Sequence, residues 1–147
     1  MSRKVSIAVE HFPIAGTFTI SRGSKTEASV VTCRITEAGA SGIGECVPYG
    51  RYGETLESVV TQIEQVRAEL EAGIGRDELN RLMPAGAARN AVDCALWDLE
   101  AKKSGVTVAE RIGLHAPRPL TTAYTLSLGE PEAMAAQAAI WSHRALL

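Results

Sequence analysis

The chain has 147 residues, 46% hydrophobic and 22% charged, with a formal net charge of -2. That is enough chain for one ordinary domain with a buried core, and it lacks the positive excess of a nucleic-acid binder. No apolar run approaches the roughly 20 residues that cross a bilayer, and the start, MSRKVSIAVEHF, alternates instead of forming an apolar leader, so a cytoplasmic protein with no membrane partner is expected.

Val5, Ile7 and Val9 alternate with polar neighbours, as does the stretch from Ala28 to Thr36, which predicts strands of a small antiparallel sheet over the first fifty residues. Between them, Pro13 to Lys25 reads as a loop-rich excursion with a polar, basic tip at Ser21-Arg22-Gly23-Ser24-Lys25. Gly39 and Gly42 punctuate a hairpin before a short strand near Ile43. Gly42-Ile43-Gly44 lacks the third glycine of a phosphate loop and opens no helix, so it reads as a tight strand turn. A second irregular stretch, Pro48 to Gly53, follows.

From Thr55 the period changes. Leu56, Val59, Val60, Ile63, Val66 and Leu70 share one helical face, which Gly73 ends. A short helix is expected around Asp77 to Met83. A longer one runs from Ala87 to Ser104, with Ala88, Ala91, Ala95, Leu96 and Leu99 as its apolar stripe and Gly105 as its stop. Thr107 to Glu110 has the spacing of a capping box. After the linker His115-Ala116-Pro117-Arg118-Pro119, one β/α unit is expected: a strand from Leu120 to Leu128 and a helix from Glu132 to His143.

Few side chains suggest chemistry by themselves. Cys33, Cys46 and Cys94 are odd in number and without C-x-x-C spacing, so three free, buried thiols are expected. His11, His115 and His143 are widely separated, and no nucleophile elbow or zinc-helix motif occurs. Asp93 and Asp98 are turned roughly 140° from each other on a helix, and Arg89 and Lys102 stand four residues away as ion-pair partners. Trp97 reads as a core or interface residue. Arg22, between Ser21 and Gly23 at a loop tip, is placed to fork two hydrogen bonds onto a carboxylate. Tyr49, Arg51 and Tyr52 have the aromatic and cationic composition of a ligand-contacting loop. No catalytic residue and no metal ligand is assigned.

The element order, together with SRGSK, GECVPYGRYGET, PAGAARNAVDCALWDLEAK and TTAYTLSLGEPEAMA, resembles the enolase superfamily in its muconate-lactonizing branch, and most of all the L-Ala-D/L-Glu dipeptide epimerases. The resemblance implies an α+β fold: an enolase-like N-terminal capping domain over residues 1–116 and the first β/α unit of a TIM-type barrel over 117–147. It implies that Arg22 binds the acidic side chain of a small acidic dipeptide, that Tyr49, Arg51 and Tyr52 shape the pocket, and that Thr125 lines it. The implied activity is epimerisation by proton abstraction next to a carboxylate, with lysine bases and Mg²⁺ held by barrel carboxylates. The family's Lys-x-Lys is absent from these 147 residues, so the chain by itself is expected to be inactive. A cycloisomerase or o-succinylbenzoate synthase of the same branch shares the helix block without needing Arg22, and a non-catalytic binding or assembly module is the alternative from another class. A homo-oligomer stays open.

Overall fold

Three strands open the chain: β1 (Lys4–Ile20), β2 (Gly23–Glu37) and β3 (Ala40–Cys46), in the order β1-β2-β3. The computed structural model describes residues 2–114, 116 and 118–141. Pro117, His143 and the expected approach to a further strand at Ala145 to Leu147 lie outside the described residues. A two-residue turn joins β1 to β2, which makes that pair antiparallel. β2 and β3 pair antiparallel with Arg34 opposite Ile43 and Glu37 opposite Ala40. Their turn is Ala38-Gly39, with φ of 51° and 84°. Both angles are positive, as in the hairpin turn whose twist matches the strands it joins.

The excursion expected from Pro13 to Lys25 is instead strand on both sides, interrupted only at Ser21 and Arg22. Pro13 sits on β1, an outer strand of the sheet, where proline is tolerated, and Gly16 takes up a φ of +85° without ending the strand.

Helices follow: α1 (Leu56–Gln65), α2 (Arg67–Ala72), α3 (Arg76–Leu82), α4 (Ala87–Ser104), α5 (Val108–Arg111) and α6 (Pro131–Trp141). The single helical stripe expected from Leu56 to Leu70 is divided at Val66, whose N–H reaches Ile63 O at 3.2 Å in a tightened turn. Arg67, just past that turn, grips Glu64 through Nε at 2.6 Å and Nη2 at 2.7 Å and also donates to Val5 O on β1. Thr107 and Glu110 form the expected capping box, with bonds of 3.2 and 2.9 Å.

Backbone contacts divide the chain into two units. The first, Met1–His11 with Ser29–His115, holds the core. Alternation puts Val31, Cys33 and Ile35 of β2 on one sheet face, each fully buried, facing Val59 and Ile63 of α1, Leu70, Leu79, and the Ala91, Val92, Ala95 and Leu99 stripe of α4. The second unit is Phe12–Ala28 with Ala116–Leu147. Its helix α6 forms as expected, but residues 120–128 carry no strand ladder among the described residues. Their recorded backbone tie to another element is Leu128 N–H to Thr19 O at 2.8 Å. One such bond holds a segment in place without making it a strand.

Candidate functional site

After β3 the backbone leaves the sheet through Val47 and Pro48 and makes one turn of 3₁₀ helix at Gly50–Tyr52. Tyr52 N–H bonds Tyr49 O at 2.9 Å and Gly53 N–H bonds Gly50 O at 3.0 Å. Gly53 has φ +74°, a left-handed position that ends the turn without strain. The turn brings the rings of Tyr49 and Tyr52 to 6.0 Å, tilted by 43°. Tyr52 is 76% exposed, and the Arg51 side chain is exposed with no hydrogen bond or ion pair among the described residues. An aromatic pair and an unpaired cation therefore share one loop.

Glu54 holds this loop, and sequence reasoning missed it. One carboxylate oxygen accepts Tyr49 N–H at 3.1 Å, and the other accepts Ala87 N–H, the first residue of α4, at 2.7 Å. The cap position of α4 is Gly86, which has no side chain to offer its first turn. A helix start must satisfy its free N–H groups somehow, and a carboxylate suits the positive end of the helix. The signal was present as a helix start, Pro84-Ala85-Gly86-Ala87, without Ser, Thr, Asp or Asn at the cap.

In the second unit, Arg22 stands at the two-residue turn between β1 and β2, exposed and without hydrogen bond or ion pair among the described residues. Just behind the turn, the Thr19 and Ser24 hydroxyls lie 2.9 Å apart. Ser127 ties this hairpin end to the segment carrying Thr125: its hydroxyl accepts Thr19 N–H at 2.9 Å and donates to Thr17 O at 3.2 Å. Thr125 is exposed, two residues away. Arg22 and Thr125 therefore belong to one unit, and Tyr49, Arg51 and Tyr52 to the other. Also in the second unit, Tyr124 stacks on Trp141 at 4.2 Å.

The remaining candidates serve the scaffold. Asp98 pairs with Lys102 at 2.7 Å, as expected, and also accepts Ile43 N–H at 2.9 Å. Burial raises its pKa, but the bonds from Lys102 and Ile43 outweigh that, and the net shift is downward. Arg89 makes no ion pair with Asp93 among the described residues and donates instead to Met83 O at 3.3 Å. Trp97 lies under Arg76, whose guanidinium carbon is 3.4 Å from the ring centroid, and Arg76 also bonds both Glu100 oxygens at 3.2 Å. Gly42 and Gly44 form no turn. Both lie inside β3, where an added Cβ would collide with the α4 backbone at Ala95 and Ala91. All three cysteines are free, but Cys94 is exposed, because it falls outside the Ala88, Ala91, Ala95 stripe. No group of three or more His, Cys, Asp or Glu side chains that could hold a metal occurs among the described residues, so these residues do not fit the Mg²⁺ that the resemblance implies. No helix among them is long and apolar enough to cross a membrane.

Residues 2–113 match the family model of the mandelate racemase / muconate lactonizing enzyme N-terminal domain. The chain is 46% identical over 146 residues to the L-Ala-D/L-Glu epimerase of Escherichia coli K12, covering 99% of this chain and 46% of that protein. Among solved structures, an enolase family member from Agrobacterium tumefaciens with homology to dipeptide epimerases, bound to sodium and L-Ala-L-Glu, is 54% identical with a TM-score of 0.89, over 94% of this chain and 42% of that one. A dipeptide epimerase from Enterococcus faecalis V583, complexed with Mg and L-Leu-L-Tyr, is 28% identical with a TM-score of 0.80, over 94% of this chain and 42% of that one. The chain thus spans less than half the length of these relatives. With its three-stranded antiparallel sheet backed by helices, and this match over residues 2–113, the chain belongs to the mandelate racemase / muconate lactonizing enzyme family of the enolase superfamily, through the family's N-terminal domain.

Proposed function

We propose that these residues form the capping part of a Mg²⁺-dependent epimerase of acidic dipeptides such as L-Ala-L-Glu, with residues 1–116 as the cap and 117–147 as the start of the barrel. Arg22 carries the reading, as an exposed guanidinium with no partner among the described residues at the tip of a two-residue turn. A guanidinium offers paired N–H donors that match a carboxylate. In this reading Arg22 binds the side-chain carboxylate of the dipeptide, and Thr125, Tyr49, Arg51 and Tyr52 are further substrate-binding residues. The 147 residues bind and orient substrate but move no proton, since the Lys-x-Lys of the family does not occur in them. A cytoplasmic location goes with this reading.

A chimera tests it. Residues 1–147 replace the matched segment of the E. coli relative, and kcat and KM are measured for L-Ala-L-Glu and L-Ala-L-Ala. Losing a charge-assisted pair costs about 1.5–3 kcal/mol, so Arg22→Ala is expected to lower kcat/KM for L-Ala-L-Glu about 10- to 100-fold and to leave L-Ala-L-Ala nearly unchanged. An active chimera in which the two substrates respond alike to Arg22→Ala overturns the assignment. The 147-residue chain itself, incubated with L-Ala-L-Glu and Mg²⁺ in D₂O, is expected to place no deuterium at the Glu α-carbon.

A further inference from the structure

The end of the β1–β2 hairpin belongs to the unit that holds residues 116–147 and not to the one that holds the core. None of the described residues of that unit is buried, so polar bonds and not a core must hold the hairpin tip. Three of them come from two consecutive residues. The Ser127 hydroxyl accepts Thr19 N–H at 2.9 Å and donates to Thr17 O at 3.2 Å, and Leu128 N–H donates to Thr19 O at 2.8 Å. Thr17 and Thr19 are alternate residues, whose backbone groups point to the same side of an antiparallel strand. That side is the outer edge of β1, which leaves Phe18 and Ile20 to face β2.

Ser127 does with one side chain what a neighbouring strand would do with its backbone. A hydroxyl both donates and accepts, so it satisfies an N–H and a carbonyl two residues apart. It does so from residues 120–128, which form no ladder among the described residues. The tie extends across the hairpin, because the Thr19 hydroxyl lies 2.9 Å from that of Ser24 on β2. Thr19 and Ser24 bracket the turn at Ser21 and Arg22. Both arms of the turn are therefore held to one anchor, while the Arg22 side chain has no hydrogen bond or ion pair among the described residues.

We propose that Ser127 is a positioning residue for carboxylate recognition: it pins the outer edge of β1 and so fixes where the turn presents Arg22. The proposal rests on the reading that Arg22 binds the side-chain carboxylate of the dipeptide. A guanidinium grips a carboxylate through two parallel bonds only in a defined geometry, and a turn that must be ordered on binding costs affinity that an ordered one does not. Ser127 also stands two residues from Thr125, so the same anchor ties the hairpin to a second residue assigned to substrate. Without the hydroxyl, Thr19 N–H and Thr17 O lose this partner, and of the three bonds the tip keeps only the one from Leu128.

A double-mutant cycle between Ser127 and Arg22 tests this in the chimera that carries residues 1–147, with kcat and KM measured for L-Ala-L-Glu and L-Ala-L-Ala. Ser127→Ala is expected to raise KM for L-Ala-L-Glu about 3- to 10-fold, as the loss of a neutral hydrogen bond or two would, and to leave kcat and the turnover of L-Ala-L-Ala nearly unchanged. In the Arg22→Ala background the same substitution is expected to change L-Ala-L-Glu by less than about twofold, because no guanidinium is left to aim. Ser127→Thr keeps the hydroxyl and is expected to restore the KM. Losses that fall equally on both substrates, or that add in full to those of Arg22→Ala, mark a merely structural role and overturn the proposal. An unchanged KM in Ser127→Ala, where Arg22→Ala is selective for L-Ala-L-Glu, overturns it as well and leaves the role of Arg22 standing. Should Arg22→Ala itself treat the two substrates alike, the assignment of Arg22 falls and this proposal falls with it. Backbone NMR relaxation of the 147-residue chain decides independently of turnover. Order parameters from Ser21 to Gly23 are expected to drop in Ser127→Ala and recover in Ser127→Thr, while those of β3 and α4 hold. A turn as ordered in Ser127→Ala as in wild type overturns the proposal.

Discussion

Cys33, Cys46 and Cys94 place one side chain in three environments. Burial pushes the Cys33 thiol up to about 12 and the Cys46 thiol to about 11. Cys94 is raised too, by partial burial and then by Asp93, but it remains exposed. At pH 8 a thiol reagent is therefore expected to modify one cysteine quickly in the native chain and three after denaturation, with mass spectrometry placing the fast adduct on Cys94. The sign of the pH effect follows from the same shifts. An unfolded thiol ionises near its ordinary value of 9.0, while the two buried ones stay neutral to higher pH. The stability they contribute is complete below pH 9 and is lost as pH rises toward 11 and 12. The decline is at most about 1.4 kcal/mol per pH unit for each thiol, and chemical denaturation of Cys33→Ala against wild type should show a shallower one. Spacing alone was enough to read all three thiols as free. The exposure of Cys94 was legible as well, since it lies in the polar row with Asn90 and Asp98 and not in the alanine stripe, but treating the cysteines as one class hid it.

Between elements, β3 and α4 interlock through what they lack. Gly42 and Gly44 face Ala95 and Ala91, so backbone meets backbone. Gly44→Ala is expected to cost about 3 kcal/mol or more, because neither neighbour is a flexible side chain that could yield. Gly50→Ala, where nothing lies within 4 Å of an added Cβ, is expected to stay within about 0.5 kcal/mol. Urea denaturation of the two variants checks the contrast. The alanine stripe and its helix were plain in the sequence from their spacing, and so was Gly105 as the stop. The partner was not, because Gly42-Ile43-Gly44 viewed locally is ordinary turn composition, and only the position of a helix some fifty residues later explains it. The hairpin end failed for a related reason. Pro13 and Gly16 break structure in the interior of a sheet, and they are tolerated on a strand whose outer side has no ladder partner among the described residues.

Over the whole molecule, burial is concentrated in one of the two units. Among the described residues, none between Phe12 and Ala28 or beyond Ala116 is buried, while the first unit holds a continuous apolar core. Amide exchange is therefore expected to be slowest in β2, β3 and α4 and at least a hundredfold faster in α6 and residues 120–128, as measured by mass spectrometry of peptic fragments. The pocket that the resemblance implied could be read in the sequence only as separate loops, since Arg22 and Tyr52 carry no local mark of a shared role. Glu54 has a practical consequence for anyone redesigning those loops. Its two oxygens act as a fixed ruler between Tyr49 and the start of α4. A graft that changes the surface at Tyr49 to Tyr52 must therefore travel as a cassette ending at Glu54, with its length preserved, or the transplanted side chains will point elsewhere.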